Sequence, residues 1–135
     1  MFRYVQLKIG RVELGEPVAP AVAEAAGIQR GAREADLPAG SFARAERIKL
    51  HLSGFGTVVR IEFAYPASAD FEKMISDYVS LGAPTRQAEQ RGETAIDVAR
   101  WGDSETELTL TRELDASGSR IRGELRDRTA TPGVA

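Results

Sequence analysis

His51 is the single histidine of the chain, and so the one side chain that changes charge near neutral pH without help from its surroundings. A Ser-His-Asp relay built on it needs one of Ser53, Ser76, Ser80 or Ser104 and a carboxylate, yet no Gly-x-Ser-x-Gly turn is present to hold such a serine. His51 also alternates out of phase with Leu50 and Leu52 and lies beside Lys49 and Ser53. That places it on the polar face of a strand, where a solvated histidine needs no function. Glu62, Asp97 and Glu107 are carboxylates that one sheet face could gather for acid–base work. Cross-strand pairing with Arg60, Arg100 and Arg122 on a solvated face accounts for them more simply.

Other chemistries lack their residues. With no cysteine there is no disulfide framework, thiolate zinc site, iron–sulfur cluster or cysteine nucleophile. No Asp-x-Asp-x-Asp-Gly loop or His-Glu-x-x-His helix occurs, and Gly102-Asp103-Ser104-Glu105 falls where a hairpin turn favours the same residues. Gly54-Phe55-Gly56 resembles a phosphate loop only in its glycines, because a strand rather than a helix N-terminus follows it. We therefore expect no catalytic residue, no metal and no cofactor.

Surfaces for partners are better represented. Arg120, Arg122 and Arg126 alternate with apolar residues along the last strand and make a narrow cationic ridge, whose ordinary purpose is to guard an exposed sheet edge. Phe55 sits at a hairpin tip and Trp101 ends a strand; exposed, they would anchor a protein partner, and buried, they would cap the ends of the core. A second reading, a small-ligand-binding protein or small acid–base enzyme, puts a pocket between helix and sheet, lined by His51, Tyr65, Tyr78, Asp97 and Arg100.

The elements that position these residues follow from periodicity. Phe71, Met74, Ile75, Tyr78, Val79 and Leu81 recur at helical spacing over 69–81, with Ser68 as N-cap and Gly82 and Pro84 as the stop. Residues 18–26 form a shorter helix with Pro20 in its first turn and Gly27 at its end. Period two marks one hairpin through Ile48, Leu50 and Leu52 and then Val59, Ile61, Phe63 and Tyr65. It marks a second from 94–101 into Leu108 and Leu110, a last strand over 120–126, and N-terminal strand character with a bulge or tight turn at Gly10-Arg11. Residues 28–41 and the charged stretch 85–93 read as loops. Val12-Glu13-Leu14-Gly15-Glu16-Pro17 echoes Val79-Ser80-Leu81-Gly82-Ala83-Pro84. Either an αββ unit is repeated, or Leu-Gly-x-Pro is a common way to end an element, Gly supplying positive φ and Pro forbidding continuation.

The amphipathic helix ending in Val79-Ser80-Leu81-Gly82-Ala83-Pro84, the charged stretch 85–93 and the hairpin containing Trp101 resemble αββ modules of small bacterial envelope proteins. Examples are the outer-membrane assembly lipoprotein BamE and the beta-lactamase-inhibitor-protein-like family. The resemblance covers residues 71–114, about a third of the chain, and implies a noncatalytic protein that works through contacts made by its sheet and loops.

Composition sets the frame. The chain has 135 residues, 42% hydrophobic and 28% charged, enough for one self-sufficient core. The net charge of −2 supplies no field to draw the chain onto nucleic acid. The uncharged run 50–59 is about half of a bilayer span. The first residues lack a secretory pattern, so we expect a soluble protein, cytoplasmic, or periplasmic after removal of a leader. The abundance of arginine over lysine and of alanine has the cast of a GC-rich bacterial genome. The expected fold is α+β: a single domain over 1–128 with an antiparallel sheet of five to six strands, both helices packed on one face, and a flexible tail over 129–135. The expected function is a noncatalytic interaction module for a protein partner or a second copy of itself, without nucleic acid or membrane insertion.

Overall fold

Alternation with period two builds most of this molecule, and more of it than the sequence suggests. A computed structural model describes residues 1–38, 40–42 and 45–130. In chain order the elements are β1 (Tyr4–Leu7), β2 (Gly10–Glu13), α1 (Pro20–Ala26), β3 (Glu34–Asp36), β4 (Arg47–Leu52), β5 (Val58–Tyr65) and α2 (Phe71–Asp77). A 3-10 turn (Val79–Leu81) follows, then β6 (Thr85–Arg91), β7 (Thr94–Gly102), β8 (Thr106–Asp115) and β9 (Gly118–Asp127). Strands account for 50% and helices for 13% of the described residues. Seven strands form one antiparallel sheet in the order β3-β4-β5-β9-β8-β7-β6, and β1 and β2 form a separate hairpin.

One face of the large sheet carries the core. Ile61 and Leu108 both lie opposite Leu125, while Leu110 faces Ala99 and Trp101 faces Leu108. Leu50, Ile61, Leu110 and Leu125 are fully buried, each contributing roughly 1.5–3 kcal/mol by leaving water. The β1–β2 hairpin adds Val5, Leu7, Val12 and Leu14 to the same cluster. It is tied to β5 through main-chain bonds from Gly15 N–H to Val58 O and from Val58 N–H to Glu16 O.

The expected five-to-six-stranded sheet with both helices on one face is therefore corrected, for three physical reasons. First, residues 85–93 contribute β6, a strand exposed at all seven positions, so no buried face imprinted a period on it. Second, β3 emerges from within 28–41, held by pairing with β4 rather than by its own three residues. Third, α1 does not lie on the large sheet. Its fully buried Val22 meets β2 at Gly10, where a Cβ would stand 3.2 Å from the valine methyl.

The long helix also breaks in two. Asp70, not Ser68, is the cap, accepting from the main-chain N–H of Lys73 at 3.2 Å. After Asp77 the chain tightens to three residues per turn, which turns Val79 out to 77% exposure while Phe71, Met74, Ile75, Tyr78 and Leu81 stay inward. The N-terminal turn expected at Gly10-Arg11 falls at Lys8-Ile9, with Leu7 opposite Gly10. Gly15 and Gly82 of the echoed segments both adopt positive φ (+85° and +89°), but one follows a strand and the other a helical turn, so the echo marks a shared stop and not a repeated unit. Of the expected tail, Thr129 is fixed by two hydrogen bonds to Asp127 (2.9 and 2.6 Å), and 131–135 lie outside the described residues.

Candidate functional site

The polar phase of the same strands makes the other face of the sheet, and among the described residues no helix or strand covers it. The sheet curls around this face into a solvent-open trough of about 1030 Å³, lined by side chains from β4, β5, β7, β8 and β9 and by Asp36 of β3. Register across the strands lays down a continuous row: Lys49, Glu62, Glu124, Thr109 and Arg100. A neighbouring row runs Arg47, Ala64, Arg122, Thr111 and Val98.

Glu62 and Glu124 stand directly opposite each other, which unopposed would be repulsive. The Arg60 guanidinium relieves this from between them, 3.8 Å from Glu62 and 3.6 Å from Glu124. His51 Nε2 lies 2.9 Å from Glu62 Oε2. Burial pushes the Glu62 carboxyl up, but the His51 hydrogen bond and the charges of His51, Arg60 and Lys49 together bring it below its ordinary value. A carboxylate held ionised in this way is a poor general acid at neutral pH.

Most other charges on this face are paired as well. Arg126 meets Glu107 at 3.2 Å, and Arg122 meets Glu113 at 3.0 Å. Arg120 bonds Asp115 at 2.8 Å and lies 3.5 Å from Glu113. Arg100 differs, donating to the Gln87 amide oxygen at 2.7 Å, and neither it nor Arg47 has a carboxylate partner among the described residues. The trough thus has a charge-balanced floor, Arg100 without a carboxylate on one flank, and Arg47 on the other, where the Asp36 carboxylate also lines it. A smaller hollow of about 580 Å³ lies between β3, β4 and the end of β9, beside Arg33, His51, Arg60 and Asp127.

The five residues of the expected helix–sheet pocket are divided by the sheet itself. His51 and Arg100 lie on the open face, four strands apart in the sheet order. Tyr65, Tyr78 and Asp97 lie on the covered side: Tyr65 stacks on Phe63, and Tyr78 packs on Phe2 and Trp101. Asp97 pairs with Arg112, whose guanidinium lies 5.0 Å from the centre of the Phe71 ring. Asp97 therefore helps to seat α2, and of the three carboxylates only Glu62 and Glu107 share a face.

The partner candidates are likewise split. Phe55 is 81% exposed at the β4–β5 turn, whereas Trp101 is 4% exposed and donates its indole N–H to Gly82 O at 3.1 Å. Trp101 is a core cap. Arg120, Arg122 and Arg126 do not guard an edge, because β9 is the fourth of seven strands; they project from the middle of the open face. Residue-by-residue reading missed Arg47, Thr109, Thr111 and Glu124 as members of one surface. Their signal is the polar phase of β4, β8 and β9, visible only when the strands are laid in register. Among the described residues no cluster of three or more His, Asp or Glu could hold a metal ion, and no helix is long and apolar enough to cross a membrane. No family model, curated protein or solved structure matches the chain.

Proposed function

We propose that this chain is a noncatalytic interaction module that receives an acidic, polar segment of a protein partner on the open face of its seven-stranded sheet. The observation that carries this reading is the solvent-open trough with Arg100 on one flank lacking a carboxylate partner and Arg47 on the other in no ion pair, although the Asp36 carboxylate lines that same side. Desolvating those guanidinium groups is favourable only when a carboxylate arrives to pair with them. The floor between them is already charge-balanced, so it supplies complementarity rather than net attraction. Catalysis by acid–base residues is disfavoured by the same geometry: Glu62 and Glu107 are each held by arginine or histidine, and the trough does not exclude water.

A photo-crosslinking residue at Thr111, in the trough, compared with one at Glu24 on α1, tests this in cells of the source organism. The expected result is a discrete adduct from position 111 alone, abolished by Arg47→Glu with Arg100→Glu. Equal labelling from both positions, or an adduct indifferent to the charge reversals, overturns it.

A further inference from the structure

The two edges of the large sheet are managed differently. At one end β3 has three residues, too few to template another chain, and Pro38 follows shortly after it. At the other end β6 has seven residues, each paired with β7 in unbroken register from Thr85 opposite Arg100 to Arg91 opposite Thr94. It contains no proline, bulge or positive φ, and every side chain on it is exposed. Short length, proline, bulges and charged side chains are the devices that blunt an edge; of these β6 has only the charges of Arg86, Glu89 and Arg91, two of which pair with each other.

Its hydrogen-bonding phase can be read from the turn. Gly92-Glu93 forms a two-residue connection to β7, with Gly92 at φ +58°, and in such hairpins the flanking residues, Arg91 and Thr94, are a hydrogen-bonded pair. Alternation then directs the main-chain groups of Glu89, Gln87 and Thr85 toward β7 and those of Arg86, Ala88 and Gln90 away from it, to the open edge.

We infer that β6 is a self-association edge: two copies of this chain pair their β6 strands antiparallel about a two-fold axis at Ala88, continuing the sheet from one molecule into the other. The side chains fit that register. Arg86 falls opposite Gln90 of the second copy, Gln87 opposite Glu89, and Thr85 opposite Arg91, so no like charges face each other directly. Glu89 is already neutralised by Arg91 of its own strand at 2.6 Å, and the residue on the axis is small. The other outward residues fail as centres. Arg86 on the axis would set two guanidinium groups face to face, and Gln90 would leave little beyond the turn to pair. With Ala88 on the axis all seven residues are used, and about six main-chain bonds form. This inference is independent of the open-face reading.

Sedimentation velocity of the full chain from about 1 μM to about 1 mM tests it, beside two variants. Wild type should move from 14.6 kDa toward twice that mass. Ala88→Pro removes an outward N–H that β7 does not use, so it should fold as wild type does by circular dichroism and weaken the dimer at least about tenfold. Ala88→Cys sets two thiols on the axis, where a hydrogen-bonded pair brings Cα atoms to about 5.5 Å, within disulfide reach. It should cross-link at least about tenfold faster than Phe55→Cys. A chain that stays monomeric throughout overturns the inference, as does a dimer that Ala88→Pro leaves intact. Should Ala88→Pro fail to fold, cross-linking of Ala88→Cys no faster than of Phe55→Cys overturns it alone.

Discussion

Two aromatic side chains at hairpin ends meet opposite fates, and their energetics follow. Trp101 fills the core beside Tyr78 and satisfies its indole N–H on Gly82 O, so Trp101→Ala should cost about 3–5 kcal/mol in thermal or urea unfolding. Trp101→Phe leaves that carbonyl short of its donor and should cost about 1–2 kcal/mol. Phe55→Ala should change stability by less than about 0.5 kcal/mol, because the ring already lies in water. The carboxylates set the acid limit. Asp103 is drawn from 3.8 to about 2 by the main-chain N–H groups of Glu105 and Thr106 and by the N-terminal ammonium. Asp115 falls to about 2 through Ser117 and Arg120. Both are depressed in the folded state, so their stabilisation is complete above the ordinary carboxylate value and is lost as pH falls toward about 2. The melting temperature should be level through neutral pH and fall between about pH 4 and about pH 2. Asp103→Ala should lie below wild type at neutral pH and converge with it at the acid end; parallel curves would remove Asp103 from that account.

At the scale of elements, the sequence announced whatever buries one face and stayed silent about the rest. β4, β5, β8 and β9 were legible because an apolar residue recurs at every second position, and the polar phase of each was legible with it, His51 included. β6, Thr-Arg-Gln-Ala-Glu-Gln-Arg, has only Ala88 as an apolar residue; with both faces in water, selection for burial left no period to read. The helix over 69–81 was legible in its inward face but not in its break, because the apolar residues keep facing the core through the 3-10 turn and only Val79 leaves it. The trough was the least legible feature. Its residues span Asp36 to Arg126 in the chain, and their adjacency is a property of register between distant strands. One close approach within this layer is testable. Gly123 lies in β9 where a Cβ would stand 3.1 Å from Leu110 and 3.3 Å from the Tyr65 ring. Its φ is not positive, so Gly123→Ala gains backbone entropy but overpacks a fully buried leucine. Crowding should win, for a net loss of about 1–3 kcal/mol in unfolding free energy.

For the molecule as a whole, strand order implies a gradient of stability running outward from β9. That strand is flanked on both sides, by β5 and β8, and carries the fully buried Leu125, whereas β6 is held by β7 alone. Native-state amide exchange should therefore be slowest in β5, β8 and β9 and fast in β6, because fraying β6 from β7 leaves the core in place. Within β6 the exchange should alternate. At dilution, where single copies prevail, the outward N–H groups of Arg86, Ala88 and Gln90 should exchange at nearly the rate of an unstructured chain. Those of Gln87 and Glu89, bonded to β7, should be slower by at least about tenfold. Raising the concentration should protect the outward three and leave the exchange of an α1 amide such as Glu24 unchanged. The alternation reports the hairpin phase, and its concentration dependence reports the pairing. Uniform exchange along β6 at dilution would mean that the turn at Gly92-Glu93 sets a different phase, and the axis at Ala88 would lose its basis.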